Sequence, residues 1–389
     1  MGINHLDCFM DKLIYIKGGF LMRVIPIQYV KIGTKLGQSL QDDEGRVLLR
    51  AGMEITSKLK KRLNDFGIYS VYVDDGFSDV ELQDVIQPKL RQKAIKTVKE
   101  TFKSCMDFQE DINSPFKSKQ IKAIDRRDEK IKSIESLSEE IIYDLLSSKQ
   151  IALNLVDIKS RDEYIFQHSM NVAVLSLIIG AGAHLNVRDM KLLCTGAMLH
   201  DIGKTLIPKE LVFKEGKLSL SELAIFKEHT SRGYDYLRDS REISAMARII
   251  ALQHHERLDG QGYPKGIKDI HNFAQIVAIA NTYDNLTSDT PRHRAIPANE
   301  ALEYIMGNAG TRFNINYVQY FKDRVVPYPI GTLIYLSNGN IAVVKRLNSG
   351  FPFRPLVQSV NSGKLLDLLK VTDLTIKGVC YDLDSAGGE

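Results

Sequence analysis

The sequence contains no CxxC pair. Its four cysteines, Cys8, Cys105, Cys194 and Cys380, are scattered through 389 residues. That spacing argues against a disulfide framework and for idle thiols in a reducing compartment. No uninterrupted apolar run is long enough to cross a bilayer. The longest, from Val172 to Leu185, is broken by Ser176, Gly180, Gly182 and His184, and reads as a buried helix. Charge of one sign is also scarce: the formal net charge is only +4. That argues against wrapping a nucleic-acid polymer or coating a membrane, but allows a local basic pocket for a phosphate ligand. Strong internal repeats are missing. The first 21 residues lack a signal-peptide pattern, because Asp7 and Asp11 stand where positive charge is expected and Lys17 breaks the apolar run. The expected location is the cytoplasm. A strand-like pattern begins at Met22, so residues 1–21 read as an extension and Met22 as the natural start.

Hydrophobic content of 44% and charged content of 26% fit a globular chain with two or three domains. Residues 22–78 read as a small α/β module. Its apolar runs Val24–Ile27, Val47–Leu49 and Val71–Val73 are separated by turns such as Asp43-Glu44-Gly45, with one helix from about Ser57 to Phe66 ended by Gly67. Nothing in it looks catalytic, and a structural or regulatory role is expected. Residues 79–149 are polar and lysine-rich, with helical spacing in Val85–Met106 and Asp128–Leu146 and a break at Asn113-Ser114-Pro115. The mixed-sign run Lys117–Lys132 reads as a solvated helix face. This stretch is expected to be a helical connector able to pair with a second subunit. Residues 150–326 show apolar positions at spacings of three and four and read as an all-α domain. In residues 327–389, two short apolar runs around Ser337-Asn338-Gly339-Asn340 mark a hairpin in a small β appendage. The expected fold is therefore mainly α, with small β-containing modules at both ends.

Eight of the nine histidines fall in the all-α part, and five of these, His168, His200, His229, His254 and His255, each stand beside a polar or turn feature. A lone histidine is usually a satisfied core or surface residue. Five spread over several predicted helices of one bundle suggest a metal site built from inward-pointing side chains. The other four, His5, His184, His271 and His293, read as structural or surface residues. His200-Asp201-Ile202-Gly203-Lys204 puts an imidazole and a carboxylate at one point, and the carboxylate has two oxygens with which to bridge two ions. Imidazole with carboxylate suits Fe, Mn, Co, Ni or Zn better than Ca or Mg. Lys204, one turn on, could hold a phosphate oxygen. The string His254-His255-Glu256-Arg257-Leu258-Asp259-Gly260-Gln261-Gly262-Tyr263-Pro264 is more specific: a tandem histidine runs into a tight glycine-rich turn.

These strings, together with DEYIFQHSMNVA (162–173), LIPKELVFKEGKLSLSE (206–222), KEHTSRG (227–233) and IANTYDNLTSD (279–289), resemble the HD-GYP family of HD-domain metal phosphohydrolases that degrade cyclic di-GMP. The resemblance covers residues 150–325, less than half of the chain. It implies two divalent ions, Fe or Mn favoured over Zn, Ni or Co. His168, His200 and Asp201 would bind the first, and Asp201 would bridge to a second held by His229, His254 and His255. It implies hydrolysis to linear pGpG, and then to GMP, by a hydroxide between the ions. Lys204 would act at the substrate and Asp284 either there or behind a metal ligand, with Gly262, Tyr263 and Pro264 shaping the rim or docking a protein such as a diguanylate cyclase. Two departures stand out. Asn281 occupies the place of an aspartate ligand to the first metal. Thr290-Pro291-Arg292-His293 replaces Arg-Pro-Tyr-Arg, leaving Arg292 or Arg294 to take over phosphate binding. Tyr164 stands where three-metal members carry Glu, which favours two metals. The competing expectations are a weakened relative acting as a cyclic di-GMP receptor, and a phosphodiesterase for another cyclic dinucleotide.

Overall fold

A computed structural model describes residues 23–41, 47–65, 68, 70–74, 85–147, 164–348 and 350–381. The leader, the Asp43–Gly45 turn and Gly67 lie outside the described residues. At the N-terminal end stand β1 (Arg23–Pro26), β2 (Lys35–Leu36), β3 (Leu40–Gln41), β4 (Val47–Leu49), α1 (Ser57–Asp65) and β5 (Ser70–Asp74). β5 lies between β1 and β2, antiparallel to both, while β3 pairs with β4. Ile25, Leu36, Ile55, Leu63, Val71 and Val73 close a small core of their own.

Two long helices follow, α2 (Pro88–Ile112) and α3 (Lys117–Ser147). Pro88 sits at the first position of α2, where its missing N–H costs no helical hydrogen bond. The mixed-sign run expected to be a solvated face forms the first half of α3. Both helices extend further than their sequence patterns suggested, and they do not stand apart as a free connector. Their apolar stripes merge with the bundle beyond into one continuous core. Phe102 packs edge-on against Phe166 with ring centres 5.7 Å apart, and Phe108 against Tyr236 at 5.3 Å.

The bundle comprises α4 (Tyr164–Gly182), α5 (Val187–Leu199), a 3-10 turn (Ile202–Leu206), α6 (Lys209–Val212), α7 (Leu220–Lys227), α8 (His229–Arg238), α9 (Ala245–Gln253), α10 (Asn272–Thr287), α11 (Ala298–Gly307) and α12 (Ile315–Lys322). α4 is apolar all round because it is the central helix. By length and composition it could cross a membrane, yet 83% of its most apolar window is buried inside the protein. Capping residues set several of the other starts: Asn186 accepts from Asp189 N, Ser219 and Glu222 form a capping box, and Ser244 caps α9. His271, expected to be structural, caps α10 by accepting from Phe273 N.

The chain ends in an antiparallel sheet of β6 (Leu333–Leu336), β7 (Ile341–Arg346), β8 (Leu356–Ser359), β9 (Leu365–Asp367) and β10 (Ile376–Val379), ordered β10-β6-β7-β8-β9. β6 and β7 are the expected hairpin. Tyr381 returns to the N-terminal module and stacks on Tyr29, in the turn after β1, with ring centres 5.1 Å apart.

Candidate metal centre

Five imidazoles and one carboxylate converge in the bundle. His168 comes from the interior of α4. His200 ends α5, and Asp201 leads the 3-10 turn. His229 opens α8, His254 ends α9, and His255 follows it. Gly203 permits this convergence. A Cβ there would lie 1.9 Å from the carbonyl oxygen of His229 and 2.6 Å from Gly233 N, so only glycine lets the turn that carries Asp201 touch α8. Gly203→Ala is expected to lower stability by about 3 kcal/mol. Equilibrium denaturation checks this, and a wild-type midpoint would refute the close packing.

The two oxygens of Asp201 face different partners. Oδ2 lies 3.5 Å from His168 Nε2 and 3.3 Å from His200 Nε2. Oδ1 lies 3.4 Å from His229 Nε2 and 3.6 Å from His254 Nε2. Two donor groups share this carboxylate: His168, His200 and Asp201 in one, and Asp201, His229, His254 and His255 in the other.

The far side of four of the five rings is held by an acceptor. His168 Nδ1 donates to Asp284 Oδ2 (2.7 Å), His200 Nδ1 to Ala197 O (2.7 Å), His229 Nδ1 to Phe226 O (2.7 Å) and His254 Nδ1 to Ile250 O (3.0 Å). A carbonyl or carboxylate oxygen can only accept, so the proton of each neutral ring sits on Nδ1. Each Nε2 then aims a lone pair at Asp201. Those four Nε2 atoms and Asp201 Oδ1 are buried without a hydrogen-bond partner. Five inward lone pairs facing one another are costly unless a cation joins them, and neutral imidazole with carboxylate is a donor set for a divalent transition metal. The residues fit a metal.

The charge states agree. Burial would push Asp201 up, but His200 and Lys204 outweigh it and hold the carboxyl well below its usual range. Burial lowers His168 to about 4, against the opposing pull of Asp284, and His229 to about 3. His254 and His255 are also lowered by burial. All four are neutral at pH 7 and free to ligate.

Around the centre, the expected site residues divide. Lys204 is buried and forms an ion pair with Asp201 Oδ2. Tyr263 stacks on His255 at 4.5 Å and 19°. Gly262 lies against the backbone of residues 255–257, where a Cβ would come within 2.5 Å of Arg257 N. Pro264 follows in the same turn. Arg292 lies over Phe226, 4.1 Å from the ring centre, and donates to the carbonyl of Leu211 at 3.0 Å. Arg294 is turned to solvent beside Asp289, 3.9 Å away. Of the two arginines, only Arg292 is held beside the centre.

Asp284 takes one of its two expected places, behind a candidate metal ligand. It does not face an open site but is buried behind His168, one oxygen on His168 and the other accepting from Asn171 Nδ2 at 2.9 Å. The reason is its place on the inward face of α10, against α4. Asn281, one turn earlier, has its amide oxygen taken by Asn285 Nδ2 at 2.7 Å. Asn285 in turn accepts from the Tyr164 hydroxyl at 3.2 Å.

Some contributors escaped the sequence reading. Asn171 was legible in principle, as an amide three residues after His168 in an apolar helix. Glu256 is buried and accepts from Lys265 N (2.8 Å) and Ile267 N (3.1 Å), which anchors the turn after the tandem histidine. Phe226 fixes His229 through its carbonyl and carries Arg292 and Lys204 on its ring.

A family model described as HD domain matches residues 152–316. This segment is an HD domain. Among curated relatives, a cyclic di-GMP phosphodiesterase of Pseudomonas aeruginosa is 35% identical over 212 residues, covering 54% of this chain and 50% of the relative. A 3'3'-cGAMP-specific phosphodiesterase of Vibrio cholerae is 34% identical over 163 residues, covering 41% of this chain and 37% of the relative. The chain thus spans about half, or less, of the length of the curated relatives it matches. Among solved structures, an HDG"Y"P protein from Bdellovibrio bacteriovorus aligns with 78% of this chain and 98% of its own, at 18% identity and a TM-score of 0.46. The converging histidines and Asp201 all fall inside the HD domain.

Proposed function

We propose that the protein is a metal-dependent phosphodiesterase that opens cyclic di-GMP to linear pGpG and then cuts this to GMP. The observation that carries the reading is the shared Asp201, whose two oxygens face separate histidine groups with unpartnered Nε2 atoms. His168, His200 and Asp201 would hold one divalent ion, and His229, His254, His255 and Asp201 the other. Fe and Mn suit these donors, with Zn, Ni and Co as alternatives. The ions would supply Lewis acidity, making water acidic enough to attack phosphorus at neutral pH and offsetting charge on the phosphoryl oxygens.

The chain's own residues prepare this chemistry. Asp201 stays anionic and His168, His229, His254 and His255 stay neutral, so these donors need no proton removed at pH 7. Lys204 and Arg292 place positive charge where a phosphodiester would lie, both resting on Phe226. Preorganised cations of this kind stabilise charge that grows in the transition state. Tyr263 walls the second group, and its turn is anchored by Glu256. The relatives named as cyclic di-GMP phosphodiesterases support the substrate. The N-terminal α/β module, whose core is separate, is proposed as regulatory.

A second reading, a receptor that binds the dinucleotide with little turnover, is favoured by Asn281, whose amide brings no charge and is tied to Asn285. One assay separates the two. Protein loaded with Mn or Fe is expected to convert cyclic di-GMP to pGpG, and Asn281→Asp to raise affinity for the first ion about tenfold and turnover with it. Tight binding without turnover would favour the receptor, and faster cleavage of 3'3'-cGAMP would reassign the substrate.

A further inference from the structure

His168 is held from behind by a line of hydrogen bonds that begins outside the HD domain. Arg91, on α2, is 7% exposed and donates from Nη1 to Asn171 Oδ1 at 2.8 Å. Asn171 Nδ2 donates to Asp284 Oδ1 at 2.9 Å, and His168 Nδ1 donates to Asp284 Oδ2 at 2.7 Å. Asn171, Asp284 and His168 are 2% exposed or less. The family match begins at residue 152, so Arg91 lies well before it.

The direction of every bond in this line is forced. A guanidinium has donors and no acceptor, so the oxygen of Asn171 must face Arg91. Its NH2 group must then face Asp284. An ionised carboxylate only accepts, so His168 carries its proton on Nδ1 and leaves the Nε2 lone pair facing Asp201. Without Arg91, nothing in this line tells the Asn171 amide which way to point. Flipped, it would set its oxygen against Asp284, and the grip on His168 would loosen. Partners that orient metal-ligating histidines typically change metal affinity by 10- to 100-fold.

We infer that Arg91 is a positioning residue for the metal centre: acting through Asn171 and Asp284, it fixes the tautomer and orientation of His168, so that α2 helps to set affinity at the His168–His200–Asp201 group. The inference rests on the reading of the histidine cluster as a metal site. α2 follows the N-terminal module in the chain, and a displacement of α2 would reach His168 by this route.

The test uses the full-length protein, Mn(II) alone as the probe, and 15N NMR of histidine-labelled metal-free protein. Arg91→Met is expected to weaken binding at the first group about tenfold while changing the His229–His254–His255 group less than twofold. The His168 signals should move from a single Nδ1–H tautomer towards a mixture. Arg91→Lys, which keeps a donor, should restore most of both. Asn171→Leu should reproduce the Arg91→Met effect, and the double variant should add nothing to it, because both break one line. Wild-type metal affinity and an unchanged His168 tautomer in Arg91→Met would overturn the inference, as would additive effects in the double variant. If Arg91→Met does not fold, Arg91→Lys and Asn171→Leu carry the same comparison. If the wild-type protein takes up no Mn(II), the metal reading falls, and the tautomer measurement still decides the role of Arg91.

Discussion

Asp201→Asn is expected to strip metal from both groups of histidines at once and to lower cyclic di-GMP turnover by roughly 10³-fold or more. Asn keeps the volume and one oxygen but removes the charge. In the wild-type protein, one oxygen of Asp201 faces His168 and His200 and the other faces His229 and His254, all within 3.6 Å. Losing its charge therefore weakens two sites. His200→Ala removes a donor from one group only, so its metal loss should be confined to one ion. The contrast between two ions lost and one ion lost separates a bridging carboxylate from an ordinary buried one. Lys204 complicates the measurement, because Asp201→Asn leaves its ammonium buried without its carboxylate partner, at a cost in stability. Lys204→Met supplies the control: it removes the ammonium but keeps the bridge, so metal content should survive while turnover falls. Metal analysis of the three variants checks this. Wild-type metal content in Asp201→Asn would leave the proposed ligand set without support.

The parts of the centre written in contiguous strings were legible before any coordinates. His200-Asp201 and His254-His255 each place two donors through one helix end. The glycines around them mark backbone approaches closer than any Cβ permits, as at Gly203 and Gly262. What was not legible depends on contacts between distant residues. Arg91 and Asn171 are 80 positions apart, and Asn171 and Asp284 are 113 apart. No periodicity within either helix announces such pairs. From its motif Asp284 reads as a substrate-side acid or as a partner behind a metal ligand, and only the packing of α10 on α4 shows that it faces His168. The choice between Arg292 and Arg294 turned on which side of the loop meets Phe226. α2 and α3 looked like a connector because their polar faces dominate the composition. Their apolar stripes joined the central core because the bundle offered a matching face.

Stability of the metal-free protein should fall steeply with acid, in a window set by the same histidines. Burial lowers His168 to about 4 and His229 to about 3, while an unfolded chain takes up these protons near 6.5. Above pH 6.5 both states leave the two rings neutral, and the fold keeps its full stability. Below it the unfolded chain binds protons that the folded one refuses, so stability declines as pH drops towards 4 and then 3. Two protons correspond to a slope of roughly 3 kcal/mol per pH unit across the middle of that range. His254 and His255, lowered in the same direction, steepen it. Asp201 adds its own loss only in stronger acid, since its carboxyl is held below its usual range. The His168 and His229 rings together cost about 4 kcal/mol by pH 5 and about 6 kcal/mol by pH 4; a typical domain has only about 5–15 kcal/mol to lose, so unfolding is expected between about pH 5 and 4. Bound metal opposes this by occupying the same lone pairs, so the loaded protein should stay folded to lower pH until protons displace the ions. Denaturant titrations of metal-free protein between pH 7.5 and 4.5 measure the slope, and His168→Gln should reduce it by about one proton. A flat profile over that interval would mean that these rings are charged in the fold, and charged imidazoles could not act as ligands.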